Sequence, residues 1–161
     1  IMVDTDNFLT KTGVRTFEAA AFLRRNGADI TRIRKMFRED MKNLQAKGQT
    51  ISETELYDKY YAISVCPTEG IESPTIVGAQ AANEMLNIKG VKASFVLTLF
   101  KDTVYISARA IDEVNVQIIM ERLGGGGHLN VAGAQLKGKS IAEARMLLKT
   151  TLKEMTDGGE I

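Results

Sequence analysis

The chain has 161 residues, 44% of them hydrophobic, enough for one full core or for a small domain plus part of another. Charged residues make up 25% and the net charge is only +1, so the bulk charge argues for neither a nucleic-acid coat nor a membrane surface; an anionic ligand must meet a local basic group. The single cysteine, Cys66, excludes an internal disulfide and a cysteine zinc cluster, and the single histidine, His128, excludes a zinc site that needs two.

The chain opens on Ile1-Met2-Val3, read as the end of a buried strand in a chain cut from something longer. Residues 4–15 are polar and loop-like. Thr16 reads as the N-cap of a helix with Glu18 in its first turn and Arg24 and Arg25 in its last, an order that suits the helix dipole. Asn26-Gly27 stops it. Asp29 caps a second helix in which Ile30, Ile33, Phe37, Met41 and Leu44 make one apolar stripe, with a solvated face of Arg32, Arg34, Lys35, Arg38 and Lys42 opposite. Lys47-Gly48-Gln49 ends it. Ser52 and Glu55 have capping-box spacing and predict a short helix.

The composition then shifts. Residues 60–66 read as a strand stopped by Pro67. Ser73-Pro74 opens a helix that runs to about Asn87 and is rich in Gly78, Ala79, Ala81 and Ala82, small residues that let a helix lie close to a sheet. Ala93, Phe95, Leu97 and Leu99 alternate with Ser94, Val96 and Thr98. After the turn at Lys101-Asp102, Val104, Ile106 and Ala108 alternate with Tyr105, Ser107 and Arg109. This predicts a hairpin with one face in the core and with Ser107 and Arg109 together on the other. Val116, Ile119, Met120 and Leu123 have helical spacing, and residues 132–136 could form a last short strand. Ser140 and Glu143 form a second capping box ahead of a helix carrying Ala144, Leu147, Leu148, Leu152 and Met155.

Two segments carry chemistry. The first is Gly124-Gly125-Gly126-Gly127-His128-Leu129-Asn130. Bare glycines let a ligand approach main-chain N–H groups. The run follows a helix, lacks the Lys-Ser/Thr of a phosphate loop, and does not join a strand to a helix as a dinucleotide turn would. The residues leave two readings, a glycine cradle with an imidazole beside it or a helix stop with a surface histidine. The second segment is Asp4-Thr5-Asp6, carboxylates of the kind that hold hard cations, or else solvated loop acids. Cys66 beside Pro67 reads as a buried structural thiol. No apolar run reaches the roughly 20 residues of a membrane helix, and no signal-peptide pattern is read.

Gly125-Gly126-Gly127-His128 followed by Ala132-Gly133 resembles the Gly-Gly-Gly-His-x-x-Ala-Ala-Gly motif of the DHH-associated domain, with Val131 in place of the first alanine. Asp4-Thr5 with Phe8 resembles the last metal motif of DHH-family phosphodiesterases. Residues 11–20 and 73–80 resemble the cyclic-di-AMP branch of that family. The resemblance implies an α/β fold: a mixed β-sheet packed with helices, preceded by the helical C-terminal end of a DHH domain. It divides the chain into residues 1–50 (DHH), 51–58 (linker) and 59–161 (DHH-associated domain).

The resemblance further implies that Gly125, Gly126, Gly127, His128 and Asn130 line the substrate site. Arg109 would contact a phosphate or base, an ordinary strand-end arginine being the alternative. Asp4 would be a metal ligand, with Asp6 undecided. The implied activity is hydrolysis of cyclic di-AMP to linear pApA by two divalent cations, manganese by family expectation. Most of the metal ligands would lie outside these residues, so this stretch alone is expected to hydrolyse nothing. The implied partners are the cyclic dinucleotide, the rest of the DHH domain and a second copy in a homodimer, with no direct membrane contact. The parent would sit at the cytoplasmic face of a membrane. Competing readings are a phosphodiesterase or exonuclease for short linear oligonucleotides, and a non-catalytic RNA-binding or dimerisation module. The near-neutral charge counts against the last.

Overall fold

The computed structural model describes residues 1–161 apart from Asp6, Thr10 and Asp112. It divides into two compact units, Ile1–Glu39 and Asp40–Ile161. No helix among the described residues is long and apolar enough to cross a membrane.

In the first unit the apolar opening is not a strand. Thr5 N–H donates to the Ile1 carbonyl at 3.0 Å and Asn7 N–H to the Met2 carbonyl at 2.8 Å. With no strand beside it among the described residues, an extended segment would leave its backbone groups without protein partners, and local turns satisfy them instead. Helix α1 (Val14–Arg25) starts earlier than expected. Gly13 is its N-cap, and Thr16 sits in the first turn, where its hydroxyl accepts the Gly13 N–H at 3.3 Å. Helix α2 (Ile30–Met36) begins at the expected cap, with the Asp29 carboxylate accepting the N–H groups of Thr31 and Arg32. Neither helix has a buried residue.

The single long stripe from Ile30 to Leu44 is broken. The chain leaves the helix at Phe37, and Asp40 caps a new one, α3 (Met41–Ser52), by accepting the Asn43 N–H at 2.8 Å. An aspartate side chain offers the backbone a competing partner, so an apolar period can continue across a break in the helix. Helix α3 belongs to the second unit, where it packs on helix α4 (Pro74–Met85). It runs through Gly48 to Ser52, so the Ser52–Glu55 capping box does not form. Ser52 donates back to the Gln49 carbonyl at 2.9 Å, and Glu55 opens a strand.

The second unit has strands β1 (Glu55–Tyr57), β2 (Tyr61–Val65), β3 (Ala93–Phe100), β4 (Thr103–Ala110), β5 (Gly126–His128) and β6 (Val131–Lys137). Between and after them come α4 (Pro74–Met85), α5 (Val116–Arg122) and α6 (Ile141–Asp157). The sheet order is β1-β2-β3-β4-β6-β5, and β2–β3 is the parallel pair in an otherwise antiparallel ladder. This is the mixed sheet with helices that the sequence predicts.

The predicted hairpin forms, but only β4 alternates cleanly between buried and half-buried residues. Strand β3 is buried on both faces. One face joins Phe95, Leu97 and Ile106 to Ile119 and Met120 of α5 and to Leu148, Leu152 and Met155 of α6. The other joins Ala62 and Val96 to Val77, Ala81, Ala82 and Met85 of α4. On this second face helix and sheet come very close. A Cβ on Gly78 would fall 2.5 Å from Thr98 Oγ1, and Ser94 Oγ donates to the Ala82 carbonyl at 2.6 Å. Helix α6 opens on the predicted box, in which Ser140 Oγ accepts the Glu143 N–H and the Glu143 carboxylate accepts the Ser140 N–H. These bonds hold the Glu143 carboxyl below the usual range.

Leu148 is fully buried and its neighbour Leu147 is 40% exposed. Truncation of Leu148 to alanine is expected to cost about 3 kcal/mol in a urea unfolding curve, and the same change at Leu147 less than about 1 kcal/mol.

Candidate functional site

The glycine run is not a free loop. Helix α5 stops at Gly124, which has φ +78° and donates its N–H to the Glu121 carbonyl at 3.0 Å, while Gly125 N–H reaches back to Met120 at 2.8 Å. That pair is the usual glycine helix stop. The chain then forms β5, an edge strand paired with β6 across the two-residue turn Leu129-Asn130, in the register Gly126–Gly133, Gly127–Ala132 and His128–Val131. Sequence reasoning missed this strand, because glycines carry no β preference and hide the alternation. The one available signal was the spacing, with Gly-Gly-His and Val-Ala-Gly on either side of a two-residue turn ending in asparagine.

The glycines divide by role. A Cβ on Gly125 would meet Ala134 Cα at 2.6 Å and clash with the Gly133 carbonyl. A Cβ on Gly127, at φ +148°, would meet Ala132 Cα and the Val131 carbonyl at 2.5 Å each. These two positions need glycine because backbone lies on backbone. Gly126 is different, since nothing lies within 4 Å of where its Cβ would be. Asn130 is also fixed by structure, its carbonyl accepting the Ala110 N–H at 3.0 Å. Its side-chain oxygen is buried without a partner among the described residues.

Register and alternation put a set of polar groups on one face of the sheet. Arg109, Val131 and His128 form one row across three strands, Ser107, Gly133 and Gly126 the next, and Tyr105 with Gln135 a third. Ile106 and Ala108 point the opposite way, into the core. Helix α4 packs on β3 and β4 on this same face, leaving β6 and β5 uncovered. His128, Val131 and Gln135 are accordingly exposed. An open groove of about 570 Å³ is lined by Thr75, Tyr105, Ser107, Gly126, Gly133 and Gln135, among others.

Arg109 is held in place rather than waving in solvent. Its Nε donates to Asn83 Oδ1 on α4 at 2.7 Å and its Nη1 to the Ala108 carbonyl at 2.9 Å. Burial lowers the guanidinium pKa from its ordinary value, yet an arginine stays charged. The structure thus brings Arg109, Gly126 and His128 onto one open face, and uses Gly125, Gly127 and Asn130 to build it. A fixed cation, an exposed imidazole and a floor without side chains can receive an anion bearing a flat polar group.

Asp4 lies in the first unit. Its side chain is 84% exposed. Thr5 Oγ1 donates to the Ile1 carbonyl and accepts the Phe8 N–H, and Phe8 stacks on Phe17 with ring centroids 5.5 Å apart. Asp6 lies outside the described residues. Among the described residues no three or more His, Cys, Asp or Glu side chains gather as a metal site. One exposed carboxylate does not supply the six or more oxygens that a hard cation gathers, so the described residues do not by themselves fit a two-metal centre. Cys66 is buried, its thiol directed at the Pro67 and Pro74 carbonyls, and burial pushes its pKa up.

The family model described as the DHHA1 domain matches residues 58–154. The chain is 46% identical over 149 residues to the protein named cyclic-di-AMP phosphodiesterase PdeA of Listeria monocytogenes serotype 1/2a (strain 10403S), covering 92% of this chain and 22% of that protein. It is 44% identical over 161 residues to the cyclic-di-AMP phosphodiesterase GdpP of Bacillus subtilis (strain 168), covering 99% of this chain and 24% of the relative. The chain therefore spans about a quarter of the length of these relatives. Among solved structures, an exopolyphosphatase-related protein from Bacteroides fragilis superposes with a TM-score of 0.84 at 23% identity, over 97% of this chain and 48% of that one. At that identity the likeness speaks for the fold.

The geometry separates structural glycines from the open one. Gly125→Ala and Gly127→Ala are each expected to lower stability by about 2 kcal/mol or more, whereas Gly126→Ala should leave the thermal midpoint within a few degrees, as differential scanning fluorimetry would show. The thiol of Cys66 should react slowly with an aromatic disulfide at pH 8 and rapidly once the chain is unfolded in guanidinium, because its raised pKa and burial both withhold the thiolate.

Proposed function

Since the chain belongs to the DHHA1 domain family, we propose that it is the substrate-holding part of a phosphodiesterase that opens cyclic di-AMP to linear pApA. The relatives' names and the length of the match support the reading. The observation that carries it is the open sheet face where Arg109 and His128 share a row and Gly126 leaves the floor bare.

In this reading the chain binds and orients. Arg109, anchored through Nε on Asn83, presents its charge to a phosphate. His128, at the exposed edge, donates a ring N–H to a phosphate or ribose oxygen. Gly126 lets the ligand reach the sheet surface without meeting a side chain. Fixing the scissile phosphate in one orientation is a large share of what positioning contributes to such a reaction. The divalent cations of the cleavage, manganese by expectation, would be held mainly by groups outside these 161 residues, with Asp4 contributing at most one ligand. No step assigned to this chain runs through them.

Isothermal titration of the chain with cyclic di-AMP provides the test. Binding is expected, with His128→Ala and Arg109→Ala each weakening it about tenfold, the effect of one lost charge-assisted hydrogen bond. The chain with manganese should give no pApA by chromatography. Unchanged affinity in both variants, or robust turnover by the chain alone, would refute the proposal.

A further inference from the structure

The bare face continues beyond the row of Arg109 and His128 into a trough. Its floor is Gly133 and Gly126, neither of which carries a side chain. Tyr105 and Gln135, paired across β4 and β6, close one end; Ser107 stands on the β4 side, and Thr75 enters from the first turn of α4. The volume is about 570 Å³. Among the described residues, the hydroxyls of Thr75, Ser107 and Tyr105 and the amide of Gln135 make no hydrogen bond within the chain. A protein surface has many unpaired polar groups, but here four of them converge with an aromatic ring over a floor of two glycines.

That combination fits a flat ring with a polar edge. Apolar area for the ring face comes from Tyr105 and the glycine backbone, and an amide that both donates and accepts faces the edge. Distances along the strand agree. Tyr105 and Arg109 are four residues apart on β4, about 13 Å at the usual strand rise. A phosphate at the Arg109–His128 row therefore leaves room for a ribose and a purine reaching back toward Tyr105.

We propose that Tyr105 and Gln135 form a purine pocket in which Gln135 selects adenine. The Gln135 amide donates to N7 and accepts from the exocyclic N6 amino group, a bidentate match that guanine, with acceptors at both N7 and O6, cannot complete. The Tyr105 ring packs against the base, and its hydroxyl together with Ser107 and Thr75 remains available to the sugar. This pocket rests on the cyclic-dinucleotide reading above and adds to it the residues that choose the base.

The experiment titrates the chain with cyclic di-AMP and with cyclic di-GMP, for the wild type and for Gln135→Ala, Tyr105→Leu, Tyr105→Phe and His128→Ala, with thermal midpoints measured alongside. The wild type should prefer cyclic di-AMP by about tenfold or more, the discrimination of one bidentate base contact. Gln135→Ala should bring that ratio close to one by weakening cyclic di-AMP alone. Tyr105→Leu should weaken both ligands about tenfold, the size of a lost base–aromatic contact, and Tyr105→Phe should restore them. If Gln135→Ala keeps the ratio and Tyr105→Leu binds like the wild type while His128→Ala still weakens binding, the purine pocket is wrong and the substrate-holding reading survives. A folded wild-type chain that binds neither dinucleotide overturns both.

Discussion

The second unit depends on how closely α4 approaches the sheet. Three of its inward residues, Gly78, Ala81 and Ala82, have almost no side chain, and the strands beneath offer Ser64, Ser94 and Thr98 in place of bulky residues. Burying hydroxyls in an apolar interface is unfavourable unless they are bonded, and two of them are: Ser94 donates to the Ala82 carbonyl at 2.6 Å and Ser64 to the Thr50 carbonyl at 2.5 Å. These bonds fix both α3 and α4 against the strands. A 12-residue helix lying over β3 and β4 cannot also cover β6 and β5, and at its margin Arg109 and Ser107 of β4 meet Gly126 and His128 of the uncovered β5. The site is therefore a consequence of where the helix layer ends.

The glycine segment follows the same logic at smaller scale. Glycine loses more backbone freedom on folding than any other residue, so a run of four is costly unless several positions require it. Gly124 ends α5 in the left-handed region, and Gly125 and Gly127 allow two backbones to touch. The turn is pinned from two sides, with the Asn130 carbonyl taking the Ala110 N–H and the Leu129 carbonyl taking the Val116 N–H, both at 3.0 Å. The imidazole of His128 is thereby carried on a paired strand, which holds a side chain more narrowly than a loop would. Gly126, with open space where its Cβ would be and no positive φ, has neither a packing nor a conformational reason to be glycine.

Several local signals in the sequence match the structure. The β3–β4 hairpin, the Ser73-Pro74 helix start and the Ser140–Glu143 box depend on period and on caps a few residues apart, and the chain carries them explicitly. The features that escaped depend on what lies across the fold. Strand β5 exists because β6 offers its edge, and two glycines and a histidine cannot announce that. The break between α2 and α3 does not interrupt the sequence spacing of Ile33, Phe37, Met41 and Leu44, so periodicity reads straight through it. The Ser52–Glu55 box was legible and wrong, because α3 still occupies Ser52. In the site, Arg109, Gly126 and His128 were legible as residue types. Their common row was not, since cross-strand register needs the pairing of β4 with β6 and of β6 with β5. The polar contacts of Arg109 with Asn83, 26 positions away on α4, were likewise invisible to pattern.

Those contacts decide how Arg109 can act. Its partners, the Asn83 amide oxygen and the Ala108 carbonyl, are both neutral. They orient the guanidinium and satisfy two of its five donors, but they do not neutralise its charge. Burial meanwhile makes that charge less comfortable than in water, as its lowered pKa records. Arg109 is half-buried, so its charge is partly desolvated but still reaches water. Among the described residues no carboxylate pairs with it, and it lies at the edge of the open side of the sheet. An anion meeting Arg109 would find the cation oriented beforehand by Asn83 and the Ala108 carbonyl, so little ordering remains to oppose binding.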